Sequence, residues 1–241
     1  MTALDIAIFL HVLLLVYWLG GDLGTFYSSR YIVKPDLSVE ARSTALKIMS
    51  FCDVFPRICL VLFLPSGLTL IGLHPLGQET FGGWKLLPIW ILGLAWLALV
   101  VYEYRSHGAG AHVKLLQNID LTIRIVLVTG LLAAGIAALT VPDRFGVESN
   151  PRWLGAKVAL YAIAILCGVM IRVRLKPFGA AWVKLVTVGS SPETEAAITR
   201  AIHRSEPFVY VIWFCVLGAA FLGIAKPGAI GYMTRERCFK N

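Results

Sequence analysis

Trp18 and Asp22 follow His11 by seven and eleven residues. At 3.6 residues per turn those offsets lie within about 20° of one line along a helix. Leu15 and Thr25 share the stripe, and Gly20, Gly21 and Gly24 leave room for something to approach the backbone closely. A neutral imidazole on such a stripe can be a heme ligand, a proton carrier or a hydrogen-bonded packing residue. A carboxyl on it is expensive in hydrocarbon and belongs against a protein interior, in an ion pair or on a proton path.

The elements that carry these residues follow from composition. The chain has 241 residues, of which 58% are hydrophobic and 15% charged. Soluble domains carry about 45–50% apolar and about 25% charged residues, so a soluble enzyme, a disordered chain and a disulfide scaffold are all excluded. Six stretches have the roughly 20 apolar residues that cross a bilayer core: 4–28, 55–73, 84–104, 121–141, 153–171 and 207–225. No alternating strands of about ten residues suggest a barrel. The fold class is therefore an all-α, polytopic membrane helical bundle of six transmembrane helices, a single domain over 1–241. The first stretch lacks a basic start and an A-x-A site and carries Asp5, so it reads as a span and not a cleaved leader.

The connections 29–54, 74–83, 105–120, 142–152 and 172–206 set the orientation. The first, third and fifth, with their flanks, hold fourteen of the 22 Lys and Arg residues. The positive-inside rule puts those three in the cytoplasm and both termini on the extracytoplasmic side, in a bacterial inner membrane. Lys226, Arg235, Arg237 and Lys240 in the tail run against this. The net charge of +8 thus needs no nucleic acid. Residues 38–54 read as an amphipathic helix leading into the second span. Residues 192–205 read as another, with Ser191 as N-cap and Pro192 at the first helical position. The five cysteines have no CxxC spacing and suit helix packing. Four methionines without clustering offer no copper conduit.

The second and third spans resemble the fourth and fifth. Arg57-Ile58-Cys59-Leu60-Val61 leads to Gly67, and Arg124-Ile125-Val126-Leu127-Val128 leads to Gly135. Trp84-Lys85 opens the third span and Trp153 with Lys157 the fifth. A two-helix repeat and ordinary interfacial anchoring by Trp and Lys both account for this.

With the N-terminus outside, His11 lies about 10 Å into the outer half of the membrane. His74, Lys85 and Lys157 fall on the same side, so two imidazoles and two ammonium groups could gather there. Imidazole suits heme iron, His11 and His74 being the candidate metal ligands, and cations suit propionates or an anionic substrate. Lys85 also fits simple snorkelling to the interface. On the inner side Asp22, Arg57, Glu103 and Arg124 form ion pairs or a proton path, and Arg57 or Arg124 could hold a propionate. His107 and His112 in a Gly-rich loop are a weak metal signal, and His203 suits a solvated surface. The small residues Gly130, Ala133, Ala134, Gly135, Ala137 and Ala138 allow close helix contact within the chain or between copies of it.

The first helix, His11-Val-Leu-Leu-Leu-Val-Tyr17-Trp18-Leu19-Gly20 followed by Phe26-Tyr27-Ser28-Ser29-Arg30, resembles the opening helix of HemJ-type membrane protoporphyrinogen IX oxidases. Trp153-Leu154-Gly155-Ala156-Lys157 is similar to that family's Trp-Leu-x-x-Lys segment, and CopD-like membrane proteins share the His-containing first helix. The match covers about a quarter of the chain. Asp22-Leu23-Gly24-Thr25 adds a helical turn, Ser29 replaces the family's Pro, and there are more spans than the usual four or five. The resemblance implies heme b in a helical bundle, with His11 as ligand and Lys157 essential. The expected function is that of a heme b-binding membrane oxidoreductase or electron carrier that could pass electrons from a porphyrin to a membrane quinone. Trp18, His74, Arg57, Arg124 and Lys157 complete the cofactor set, with Lys157 and Asp22 catalytic. The alternatives are a proton-coupled transporter using Asp22, Arg57 and Arg124, and a non-catalytic anchor in a respiratory complex. Lipid is the one certain partner; a homo-oligomer or respiratory partner subunits are the protein partners to expect.

Overall fold

The computed structural model describes residues 1–74, 77–106, 111–140 and 152–227. Among them every regular element is helical. These are α1 (Ala3–Ile32), α2 (Val39–Leu73), the short α3 (Gln78–Phe81) and a single 3₁₀ turn at Gly83–Lys85, then α4 (Leu86–Arg105), α5 (Ala111–Thr140), α6 (Arg152–Arg174), α7 (Lys176–Val188) and α8 (Pro192–Ala225). Six helical stretches among the described residues are long and apolar enough to cross a membrane, and they contain the six spans read from the sequence except Val141 of the fourth, which lies outside the described residues. The protein is an integral membrane helical bundle. Its spans alternate in direction, so the start of α1 and the end of α8 share one end of the bundle, here the terminal end; the opposite end is the distal end.

Local chemistry sets the helix boundaries. Thr2 and Asp5 close a capping box on α1. Ser38 accepts the Ala41 amide to start α2. Ser191 does the same for Thr194 at the start of α8, with Pro192 next and Glu193 and Glu195 in the first turn. Gly189, at φ 103°, ends α7 in a conformation that favours glycine.

Three expected connections are shorter than the sequence suggests. The amphipathic stretch 38–54 is helical as read and runs without a break into the second span as α2. Residues 192–205 are likewise continuous with the last span in α8, and α5 begins at Ala111 inside the expected loop 105–120. In each case the polar residues keep the helical period, so the helix continues past the membrane boundary. At 35 residues, α2 is about 52 Å long against a hydrocarbon core of about 30 Å. The connection 172–206 also holds α7, whose apolar side carries Phe178, Ala181, Trp182 and Leu185 onto a second core with Ile32, Ala45 and Ile198. Most of the connection 142–152, with His107 and Cys238, lies outside the described residues.

α2 packs between α1 and α4, and α6 between α5 and α8; the halves meet along α4/α5 and α1/α8. Close approach depends on glycine. A Cβ on Gly21 would stand 2.6 Å from Pro56 Cδ and one on Gly24 2.7 Å from Cys52 Sγ. The glycines of the first helix are therefore filled by α2, while Gly20 faces open space. Gly135 and Gly155 meet in the same way across α5 and α6, so that part of the small-residue stripe is used within the chain. Cys59, Cys167 and Cys215 are free and buried, and Cys52 is free and half-buried.

The repeat acquires structural detail. Asp53 pairs with Arg57 and Asp120 with Arg124, each four residues apart on its own helix. Both units thus read D-x-x-x-R-I-x-L-V. Glu103 and Arg172 each follow their Trp (Trp84, Trp153) by nineteen residues, and they pair with each other at 3.4 Å.

At the distal end Arg42, 1% exposed, joins α1, α2 and α8. Its Nε donates to Ile32 O at 2.9 Å, and Nη1 and Nη2 donate to the Glu195 carboxylate at 2.8 Å each. Removing one member of a buried pair strands the other. Glu195→Ala is expected to lower stability by about 3 kcal/mol, measured by thermal unfolding in detergent, and Ser190→Ala by much less.

Candidate functional site

His11 projects from α1 toward α2. Its ring stands edge-on to Phe63, with centroids 4.8 Å apart, and Nδ1 lies 2.8 Å from Ser66 Oγ. Ser66 Oγ also lies 2.7 Å from Leu62 O and 3.3 Å from Phe63 O. When the hydroxyl donates to one of these carbonyls it accepts from His11 Nδ1–H, the tautomer that keeps a lone pair on Nε2. Gly67 lies beside the ring: a Cβ there would meet His11 Cε1 at 3.6 Å. Pro65 puts this stretch of α2 against α4, where a Cβ on Gly93 would approach Pro65 Cγ to 3.2 Å.

Lys157 of α6 lies within electrostatic reach of His11. Its Nζ reaches across to α8, where a Cβ on Gly223 would stand 2.8 Å away. The expected neighbourhood of His11 and Lys157 is thus present. His74 is placed differently. It caps α2 eight residues beyond Ser66, about 12 Å further along the axis, too far to share an iron with His11 in this arrangement. Lys85 bonds the carbonyl of Glu79 near the terminal surface.

Trp18 is buried one turn before Asp22, and its indole Nε1 donates to Asp22 Oδ2 at 3.0 Å. Its ring also packs on Phe63, centroids 5.4 Å apart. Phe63 therefore touches both His11 and Trp18, and the two aromatic rings separate His11 from Asp22. The Trp213 indole of α8 lies beside the same carboxyl without a well-aligned hydrogen bond.

Asp22 does not take part in the expected ion pairs. Arg57 binds Asp53 and Arg124 binds Asp120 by Nε at 2.9 Å, each on its own helix. Sequence reasoning missed Asp53 and Asp120, although an acid four residues before each Arg was a readable signal. Asp120 is fully buried and also accepts Trp96 Nε1 at 2.8 Å. Arg172 Nη1 lies 3.0 Å from its Oδ2, and the Arg124 guanidinium sits over the Trp96 ring. One carboxylate thereby ties α4, α5 and α6 together.

A cavity of about 320 Å³ occupies the distal half of the bundle. Trp18, Asp22, Thr25, Arg57, Arg124 and Arg172 are among its walls. His11 is not, so the candidate residues divide into two places: His11, Ser66 and Lys157 toward the terminal end, and Asp22 with the arginines toward the distal end. Among the described residues no three His, Cys, Asp or Glu side chains gather into a metal-ion site of their own. Tyr102 contacts His112 at 3.2 Å, and His203 is exposed beside Glu206.

No family model, curated protein or solved structure matches the chain.

Charge burial at Asp120 is measurable. Asp120→Ala strands Arg124 and Arg172 and is expected to cost about 3–5 kcal/mol. Glu103→Gln, which removes a longer contact at the edge of the cluster, should cost less. Thermal melts of the purified variants check the order.

Proposed function

We propose that the protein is a b-type heme-binding membrane oxidoreductase or electron carrier, with His11 Nε2 as an axial ligand. The observation that carries this reading is the 2.8 Å contact of His11 Nδ1 with Ser66 Oγ, a hydroxyl that has Leu62 O within reach for its own proton. In that arrangement Ser66 accepts from His11 Nδ1–H and orients the ring, as the partners of ligating histidines do. The residues present fit the group in two further respects. Gly67 itself puts no side chain beside the ring, where a Cβ would meet Cε1 at 3.6 Å. Lys157 supplies an ammonium near His11 that can compensate a propionate.

A heme held there would supply one-electron chemistry at a potential set by its other ligand, nearby charge and burial. The chain's own residues do the rest. Ser66 orients the imidazole and raises its basicity, Phe63 holds the ring edge, and the buried Trp18 closes the site on the distal side. With Arg57 and Arg124 engaged by Asp53 and Asp120, Lys157 is the better partner for a carboxylate near His11. The Lys and Arg distribution supports a bacterial inner membrane with both termini on the extracytoplasmic side. The HemJ-type resemblance is the support for a porphyrin donor and a quinone acceptor.

Purified from heme-replete cells, the protein is expected to show a Soret band that His11→Ala abolishes. Ser66→Ala should retain heme but bind it about 10–100-fold more weakly, as loss of a ligand-orienting partner does. A colourless, heme-free wild-type preparation overturns the reading; titration of the apoprotein with hemin measures the Ser66 effect.

A further inference from the structure

The distal cavity holds chemistry that a ligand at His11 does not use. Asp22 lies inside the ring of helices yet keeps accessible surface, because it opens on the cavity. Its carboxyl has two indole neighbours, Trp18 and Trp213, and among the described residues it forms no ion pair with a Lys or Arg. A carboxylate has about four acceptor sites, so the Trp18 bond leaves lone pairs facing the cavity. One turn further on, Thr25 also lines the cavity, and its buried Oγ1 has no hydrogen-bond partner among the described residues.

The cavity extends from Asp22 to the distal surface. Asp53 and Arg57 keep 35% and 40% of their side-chain surface, and both line its wall. The exposed Lys176, at the start of α7, forms part of the rim. The walls are mostly apolar, with the carboxyl, guanidinium and hydroxyl groups of Asp22, Asp53, Arg57, Arg124, Arg172 and Ser205 set among them, and a volume of about 320 Å³ has room for about ten waters, at about 30 Å³ each. Toward the terminal end the passage stops at Trp18, which is buried against Phe63.

We propose that Asp22 is a proton-binding site served by this water-filled vestibule from the distal side alone. A proton from vestibule water adds to the Asp22 carboxylate to give the neutral acid and returns by the same route; no electrons move. The groups facing Asp22 from the surrounding elements set its balance. Asp53, Arg57 and Cys59 face it from α2, Arg124 from α5 and Arg172 from α6. Lys176 stands at the rim on α7, and Glu206 on α8 is bound by Arg30 at 3.4 Å. Asp53 is the acid that acts on it directly. The site stands independently of heme at His11.

The test is infrared difference spectroscopy of the full-length protein in sealed vesicles, with orientation fixed by an impermeant label. A protonated-carboxyl C=O band is expected that titrates with pH on the distal side. It should vanish in Asp22→Asn, move in Asp22→Glu, and shift in frequency when Trp18→Phe removes the indole donor. The absence of any Asp22-dependent band, or a band that follows pH on the terminal side, overturns the proposal. If Asp22→Asn fails to fold, the Trp18→Phe shift in folded protein decides: an unshifted band does not belong to Asp22. Heme absorbance recorded on the same vesicles separates the two readings, since a colourless protein whose Asp22 band titrates retains this site and loses only the other.

Discussion

A carboxylate with no exposed surface at the edge of an apolar span must be neutralised and hydrogen-bonded by its own protein, and Asp120 meets that demand with an indole and two guanidinium groups from three helices. The arrangement of α4, α5 and α6 follows from it. Apolar side chains alone give helices in lipid little reason to associate in one register, since the lipid is as apolar as they are. A charge that must be met sets direction and depth. Arg172 then passes the constraint on to Glu103, its counterpart in the other repeat unit. At the distal end Arg42 does the same for α1, α2 and α8.

Between these fixed points the helices approach through glycine. Gly21 and Gly24 admit α2 to the backbone of α1, and Gly135 and Gly155 bring α5 and α6 together. The α1/α2 contact places His11 beside Ser66 and Phe63. The helix that carries the candidate imidazole and the helix that orients it are therefore held by the same seam, with Trp18 dividing their shared interface into a terminal and a distal part.

Much of this was legible in the sequence. The six spans follow from apolar length, and the helix starts at Ser191 and Pro192 from capping chemistry. Helix ends were less legible, because residues 38–54 and 111–120 keep a helical period while their composition turns polar; composition marks the membrane boundary and not the helix boundary. α7 lay in a stretch read as a connection, its apolar side spent on packing with α8 and Ile32. The partners of Asp22 were misread because sequence gives a residue's height in the membrane but not its azimuth. Arg57 and Arg124 are at suitable depths, yet each turns to the acid one turn back on its own helix. Ser66 carries no signal of its own in the sequence, and its link to His11 spans 55 residues, a contact that only tertiary structure reveals.

The unbroken course of α2 has a mechanical consequence. Its distal third is gripped by Arg42 and Glu195 outside the apolar span, and its terminal third carries the hydroxyl that aims the His11 ring. A stiff rod of this kind has two points of compliance, Pro56 and Pro65, where the backbone ladder lacks a donor. A load applied to the gripped end either bends the rod at a proline or swings the far end. The imidazole is therefore aimed from a lever whose handle lies beyond the apolar span.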